Sequence, residues 1–212
     1  MSQLMTYLTK HPWSLRLEFA NWKKHGKQLL VIEKRCFDEQ MRSHDDDLQG
    51  LIKDKSTLAM VLFDGRTMVG YIAGVPLESD SSSFDSSTDP SDGWGEFDTL
   101  YIDNVSILPE HRNQDNFKFM LAEYLRYSIA AGYRRATAHA RISNGLSAYC
   151  VRKLKFNRLR TICNWYECGE DFDYIAITAE ELDNEHPLSV WQKLVKPLRR
   201  LLAGSAVERY FR

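Results

Sequence analysis

The sequence predicts a mixed α/β domain built around a single sheet, and three stretches carry that reading. LAMVLFDGRTMVGYIAGVPL, residues 58–77, is a pair of apolar strands folded back at Asp64-Gly65. TLYIDNVSIL, residues 99–108, is a third core strand, closed by Pro109. From Phe117 the spacing turns helical and runs to Gly132, a residue that suits a helix end.

The other elements follow in chain order. Residues 12–54 read as helical: Leu29, Leu30, Ile32, Glu33, Cys36 and Phe37 begin an amphipathic stretch, and DDDLQGLIKD is a second short helix. Residues 78–98, ESDSSSFDSSTDPSDGWGEFD, are rich in Ser and Asp, hold no Lys or Arg, and read as a loop. RRATAHARI alternates as a strand, with Ala136, Ala138 and Ala140 on one face and Thr137, His139 and Arg141 on the other. Asn144 or Ser143 caps a helix through Leu154, and TICNWYEC with DFDYIAIT forms a closing strand pair. The order is helix, helix, three strands, helix, strand, helix, two strands, which is not a regular βαβ repeat.

The totals bound the function. At 212 residues the chain is one domain with an appendage: residues 1–182 form the domain, 78–98 its insertion, and 183–212 a basic amphipathic extension. Lys and Arg number 28 against 29 Asp and Glu, so no global basic field exists for a nucleic acid. No run approaches the roughly 18 apolar residues of a membrane span. The opening stretch, MSQLMTYLTKHPWSLR, lacks the apolar core of a signal peptide, which predicts a cytoplasmic protein. Cys36, Cys150, Cys163 and Cys168 show no zinc-type pairing and read as reduced thiols. No cluster of metal ligands is visible.

Between the third strand and the helix after it lies VSILPEHRNQDNF, residues 105–117. A strand-to-helix junction presents free backbone N–H groups that can hold a phosphate. Loops of this kind are usually rich in glycine, and this one has none. It offers Asn113, Asp115 and Asn116 instead.

Four pieces, in order, resemble the GNAT superfamily of acyl-CoA N-acyltransferases over roughly residues 28–178. VIEKRCFDEQMRSHDDDLQGLI is similar to its opening helices, and VGYIAG to its third strand. VSILPEHR is similar to its V-x-V-x-P-x-x-R run, and HARISNGLSAYCVRKLKF to its last motif. The resemblance implies the GNAT fold: a central, mostly antiparallel sheet of about six to seven strands flanked by helices. It also implies acyl transfer from acetyl-CoA to an amine by direct attack, with no metal. The pantetheine arm would pair with the backbone of Val105, Ser106 and Ile107, and Asn144 would bond to it. The diphosphate would lie on the loop from Arg112 through Asn113, Gln114, Asp115 and Asn116 to Phe117.

The departures from the family pattern mark the site. Asp115 and Phe117 stand where the resemblance places glycines, and the Asp115 carboxylate should repel a diphosphate or cap the helix itself. Val151 stands at the family's proton-donating tyrosine, and Tyr149 lies roughly 200° around the helix, so it serves only from an altered helix. Lys155 replaces glycine before Phe156. His139 stands where some members carry a glutamate base, and it is either that base or a plain member of the strand's polar face. Glu33 is a second candidate base or a solvated helix charge. Tyr101 and Asp103 share the alternation of Val105.

Three functional classes remain open: an N-acyltransferase for a small molecule or peptide, a GNAT-fold binding or regulatory module, and a long-chain or carrier-protein-dependent acyl synthase. The acidic stretch 78–98 could steer a cationic amine, or be solvated only. In the extension, Leu188, Trp191, Leu194, Val195, Leu198, Leu201 and Leu202 share a helical face opposite Lys193, Lys196, Arg199 and Arg200. That face suits packing on its own domain, a homodimer, a membrane surface or another protein.

Overall fold

The computed structural model describes residues 15–77, 98–112, 115–165 and 168–181. The acidic stretch up to Phe97, Asn113, Gln114 and the extension from 183 lie outside the described residues. The elements are β1 (Leu15–Phe19), α1 (Trp22–Cys36), α2 (Asp45–Lys53), β2 (Leu58–Asp64), β3 (Thr67–Pro76), β4 (Thr99–Ile107), α3 (Asn116–Ala130), β5 (Arg135–Arg141), α4 (Leu146–Lys153), β6 (Asn157–Ile162) and β7 (Phe172–Thr178). They form one seven-stranded sheet in the order β1-β2-β3-β4-β5-β7-β6, flanked by helices, as the sequence predicts.

Two expectations are corrected. Residues 12–54 are not helical throughout, because LRLEF forms edge strand β1, antiparallel to β2 from Leu15↔Asp64 to Phe19↔Met60. Arg16 and Glu18 fall on one face two residues apart and bond there, Nε to Oε1 at 2.9 Å. The last hairpin is also displaced. β6 is NRLRTI rather than TICNWYEC, whose Asn164 adopts φ 51° and turns the chain.

Contacts divide the chain into two compact units. The first holds the described residues to Asp54 with Ala59–Ala73 and Asn104–Tyr124. Asn21 caps α1, its Oδ1 accepting from the Lys24 N–H at 3.1 Å. Helical spacing then turns Leu29 and Ile32 inward, against Leu48 and Ile52 of α2 and Ala59, Val61, Phe63, Met68, Tyr71 and Ala73 of the hairpin. Alternate residues Met60, Leu62 and Ile72 are buried as well, which is the mark of a strand covered on both faces.

The second unit holds Lys55–Leu58, Gly74–Asp103 and the chain from Leu125. Here β4 and β5 pair in parallel from Thr99↔Arg135 to Ile102↔Ala138. β7 lies antiparallel to β5 on one side and to β6 on the other. A buried carboxylate ties these elements together. Asp173 accepts from the Ser147 hydroxyl of α4 and from the Thr161 hydroxyl of β6 at 2.6 Å. Among the described residues, no helix is long and apolar enough to cross a membrane.

Candidate functional site

In the first unit the described residues on either side of Asn113 and Gln114 bond back to the end of β4 and to His111. The Ile107 carbonyl accepts from the Arg112 Nε at 2.9 Å and from the Cys36 thiol at 3.3 Å. The Leu108 N–H reaches the Val69 carbonyl at 2.9 Å. Asn116 is buried and its Nδ2 donates to the His111 carbonyl at 2.9 Å. Asp115 has φ 61°, so the left-handed conformation falls on the residue at the expected first glycine position. Phe117 lies inside α3, and the Phe119 N–H already bonds the Asp115 carbonyl at 2.9 Å. Asn116 opens α3, and the free N–H groups of a helix N-terminus are suited to a phosphate. That much fits a CoA diphosphate, although the Arg112 Nε and the Asn116 amide are engaged within the loop.

The same unit overturns the solvated reading of Glu33. Its side chain is 1% exposed. One carboxyl oxygen accepts from the fully buried Tyr71 hydroxyl, and the other accepts from the Ser43 N–H at 3.0 Å. Of the β4 residues, Asp103 is exposed, Val105 half-buried and Ser106 buried. Sequence reasoning missed Asn104, which is 8% exposed with an Oδ1 that has no hydrogen-bond partner among the described residues. The available signal was a polar residue inside an apolar strand.

In the second unit His139 stands at the centre of an aromatic row. Its Nδ1 shares a 2.9 Å hydrogen bond with the Tyr101 hydroxyl. Its ring stacks on Trp165 at 4.2 Å and on Tyr174 at 4.8 Å between centroids. Register produces this arrangement, because His139 and Tyr174 are direct partners across β5 and β7 and so share a face. Burial, with the Arg160 charge second, lowers the imidazole pKa to about 3, so the ring is neutral at pH 7. Thr137, expected on an open polar face, is completely buried.

The remaining predicted residues lie on α4 and its approach. Asn144 Oδ1 accepts from the Leu146 N–H at 2.9 Å. α4 is a regular helix from Leu146 to Lys153, so the altered helix that would bring Tyr149 to the expected position is not formed. Burial pushes the Cys150 thiol up to about 12, and it raises that of Cys36 as well. Neither is a ready thiolate nucleophile at neutral pH.

No protein-family model matches the chain, and no curated protein matches it by sequence. Solved structures do. The ribosomal-protein-S18-alanine N-acetyltransferase of Escherichia coli aligns at a TM-score of 0.61 and 13% identity, over 77% of this chain and 93% of that one. Spermidine/spermine N-acetyltransferase SpeG of Vibrio cholerae aligns at 0.60 and 12%, over 82% and 97%. Arabidopsis thaliana Naa50, solved with the bisubstrate analogue CoA-Ac-MVNAL, aligns at 0.57 and 18%, over 78% and 99%. The chain has the GNAT fold. At these identities the likeness is one of architecture, and within the GNAT fold the side chains have to make their own case. Tyr101 and His139 stand together, a pairing that the sequence reading did not make. Glu33 pairs instead with Tyr71, and Arg112 turns back on its own loop.

Proposed function

We propose that the protein is an N-acyltransferase that moves an acetyl or other acyl group from CoA to an amine by direct attack within a ternary complex. The observation that carries this reading is the Tyr101–His139 pair, a neutral imidazole hydrogen-bonded to a phenol on adjacent strands of a GNAT fold. An attacking amine must be neutral and must lose a proton after the N–C bond forms. An imidazole hydrogen-bonded to a hydroxyl can relay that proton, taking it at one nitrogen as it gives one up at the other, so that no imidazolium persists. CoA supplies the activated thioester. As the C–S bond breaks, the thiolate leaves and takes a proton from solvent, because Val151 offers none. Backbone N–H groups on β4 from Val105 to Ile107 would hold the thioester carbonyl. The loop from Arg112 to Phe117, with Asn113 and Gln114, would hold the diphosphate, and Asn144 the pantetheine arm. High thiol pKa values at Cys36 and Cys150 favour direct attack over a cysteine-bound intermediate.

The engaged Arg112 and Asn116 side chains favour a second reading, a GNAT-fold module that binds CoA weakly and regulates rather than catalyses. Thermal unfolding with CoA, acetyl-CoA and a longer-chain acyl-CoA separates the two. A ligand at about 100 times its Kd stabilises by about 2.7 kcal/mol, an easily read shift. A shift with acetyl-CoA and release of CoA thiol with an amine panel support the enzyme. A shift confined to the longer chain moves the donor to a long-chain acyl group. No shift with any of them sinks the CoA-dependent reading.

A further inference from the structure

The aromatic row extends one strand beyond Tyr174. Arg160 of β6 pairs directly with Tyr174, which pairs directly with His139, so the three residues share one face across β6, β7 and β5. The Arg160 guanidinium carbon lies 5.6 Å from the centroid of the Tyr174 ring. A bulge sets this aim, because the ladder shifts between Arg158 and Arg160 and leaves Leu159 as the extra residue.

Two nitrogens of Arg160, Nε and Nη2, are buried and have no hydrogen-bond partner among the described residues. They form one edge of the guanidinium fork, the edge that takes both oxygens of a carboxylate. Asp173, a buried carboxylate among the described residues of this hairpin, does not fill it. Asp173 is bonded by Ser147 and Thr161, and the cation near it is Arg158, at 3.8 Å. Among the described residues this buried donor pair is left open, which costs stability, and a ligand that closes it recovers that loss.

We propose that Arg160 is a carboxylate anchor for the acceptor, so that the amine acylated beside His139 belongs to a molecule that also carries a carboxylate. The inference deepens the acyltransferase reading and rests on it for the word acceptor. The anchor itself is a property of the hairpin.

Two experiments test it. In the first, acetyl-CoA is offered with glycine, β-alanine, γ-aminobutyrate and 5-aminovalerate, each beside its carboxamide, and with spermidine. The carboxylate member of at least one pair should lead in kcat/KM by about tenfold or more. Arg160→Gln should bring that ratio to about one, and Arg160→Lys should keep part of it. Equal rates within every pair, a preference for spermidine, or a ratio that survives Arg160→Gln overturns the proposal.

The second experiment needs no turnover. The His139 ring is followed by NMR while sodium acetate or glutarate replaces sodium chloride at constant ionic strength. A carboxylate on Arg160 changes the charge that faces His139, so the signals of the neutral ring should move saturably at pH 7 in the wild type and not in Arg160→Gln. No saturable response in the wild type sinks the anchor. A response without any CoA-dependent shift in unfolding keeps the anchor and sinks the acyltransferase reading.

Discussion

His139 Nδ1 lies 2.9 Å from the Tyr101 hydroxyl, and the same ring is pressed between Trp165 and Tyr174. Stacking on both sides removes the water that would stabilise an imidazolium, and the folded pKa falls to about 3 from an ordinary 6.5. The unfolded chain therefore binds the extra proton first. Stability contributed by this residue is full above about pH 6.5 and is lost as pH falls from there toward 3. His139→Gln should flatten that part of the stability–pH curve, read by urea unfolding at stepped pH. The wild-type ring should show no protonation by NMR between pH 5 and 8, and the pH–rate profile no inflection from it near 6.5. A ring that titrates near 6.5 would contradict the burial argument.

Lys155 has φ 62° and Asp115 φ 61°, so both occupy a conformation that glycine takes with little strain. Lys155→Gly should raise stability by about 0.5–1 kcal/mol in chemical unfolding, since relief of strain exceeds the added chain entropy. Asp115→Gly should in addition tighten CoA, because it removes a carboxylate from the start of α3. Calorimetric titration with CoA checks this, and unchanged or weaker affinity would dismiss the repulsion.

Gly70 carries a different constraint. A Cβ there would stand 2.5 Å from the Ser106 carbonyl oxygen and 3.0 Å from the Ile107 side chain. The obstacle is backbone of the adjacent strand, which cannot rotate away. Gly70→Ala should cost about 1–3 kcal/mol. It should also disturb the 2.9 Å bond from the Leu108 N–H to the Val69 carbonyl, visible as faster amide exchange at Leu108.

Glu33 and Tyr71 form a buried pair completed by the Ser43 N–H. Glu33→Ala removes the acceptor of both bonds and should cost about 2–4 kcal/mol, whereas Tyr71→Phe leaves the carboxylate still bonded to Ser43 and should cost about 1–2 kcal/mol. A double-mutant cycle should show coupling above about 0.5 kcal/mol. Additive costs would mean that the hydrogen bond contributes nothing beyond packing.

Legibility in the sequence followed the length and regularity of each signal. The β2–β3 hairpin, β4, α3 and β5 were plain, because long apolar runs or clean alternation announce them. β1 was hidden because it is short and lies at an edge, where β2 supplies its pairing. β6 was misplaced because NRLRTI is mostly polar, while the aromatic residues of TICNWYEC suggest a strand. Trp165 instead spends its ring on His139. At the site, alternation placed Tyr101 and His139 each on a strand, but their pairing was not legible, because it comes from the parallel register of β4 and β5. Glu33 could not be read in this way, since its burial depends on Tyr71, distant along the chain. Arg160 was equally silent, because its meaning comes from register across three strands.

The bulge at Leu159 has one more consequence. Asn157↔Ala176 and Arg158↔Ile175 precede it, and Arg160↔Tyr174, Thr161↔Asp173 and Ile162↔Phe172 follow it. Every residue of β7 from Phe172 to Ala176 thus has an opposite number, and none of them is Leu159. Shortening β6 by that residue would leave the list of partners intact and remove only the local coil of the strand. The hairpin holds one residue more than its ladder can use, and that surplus decides which way a guanidinium faces.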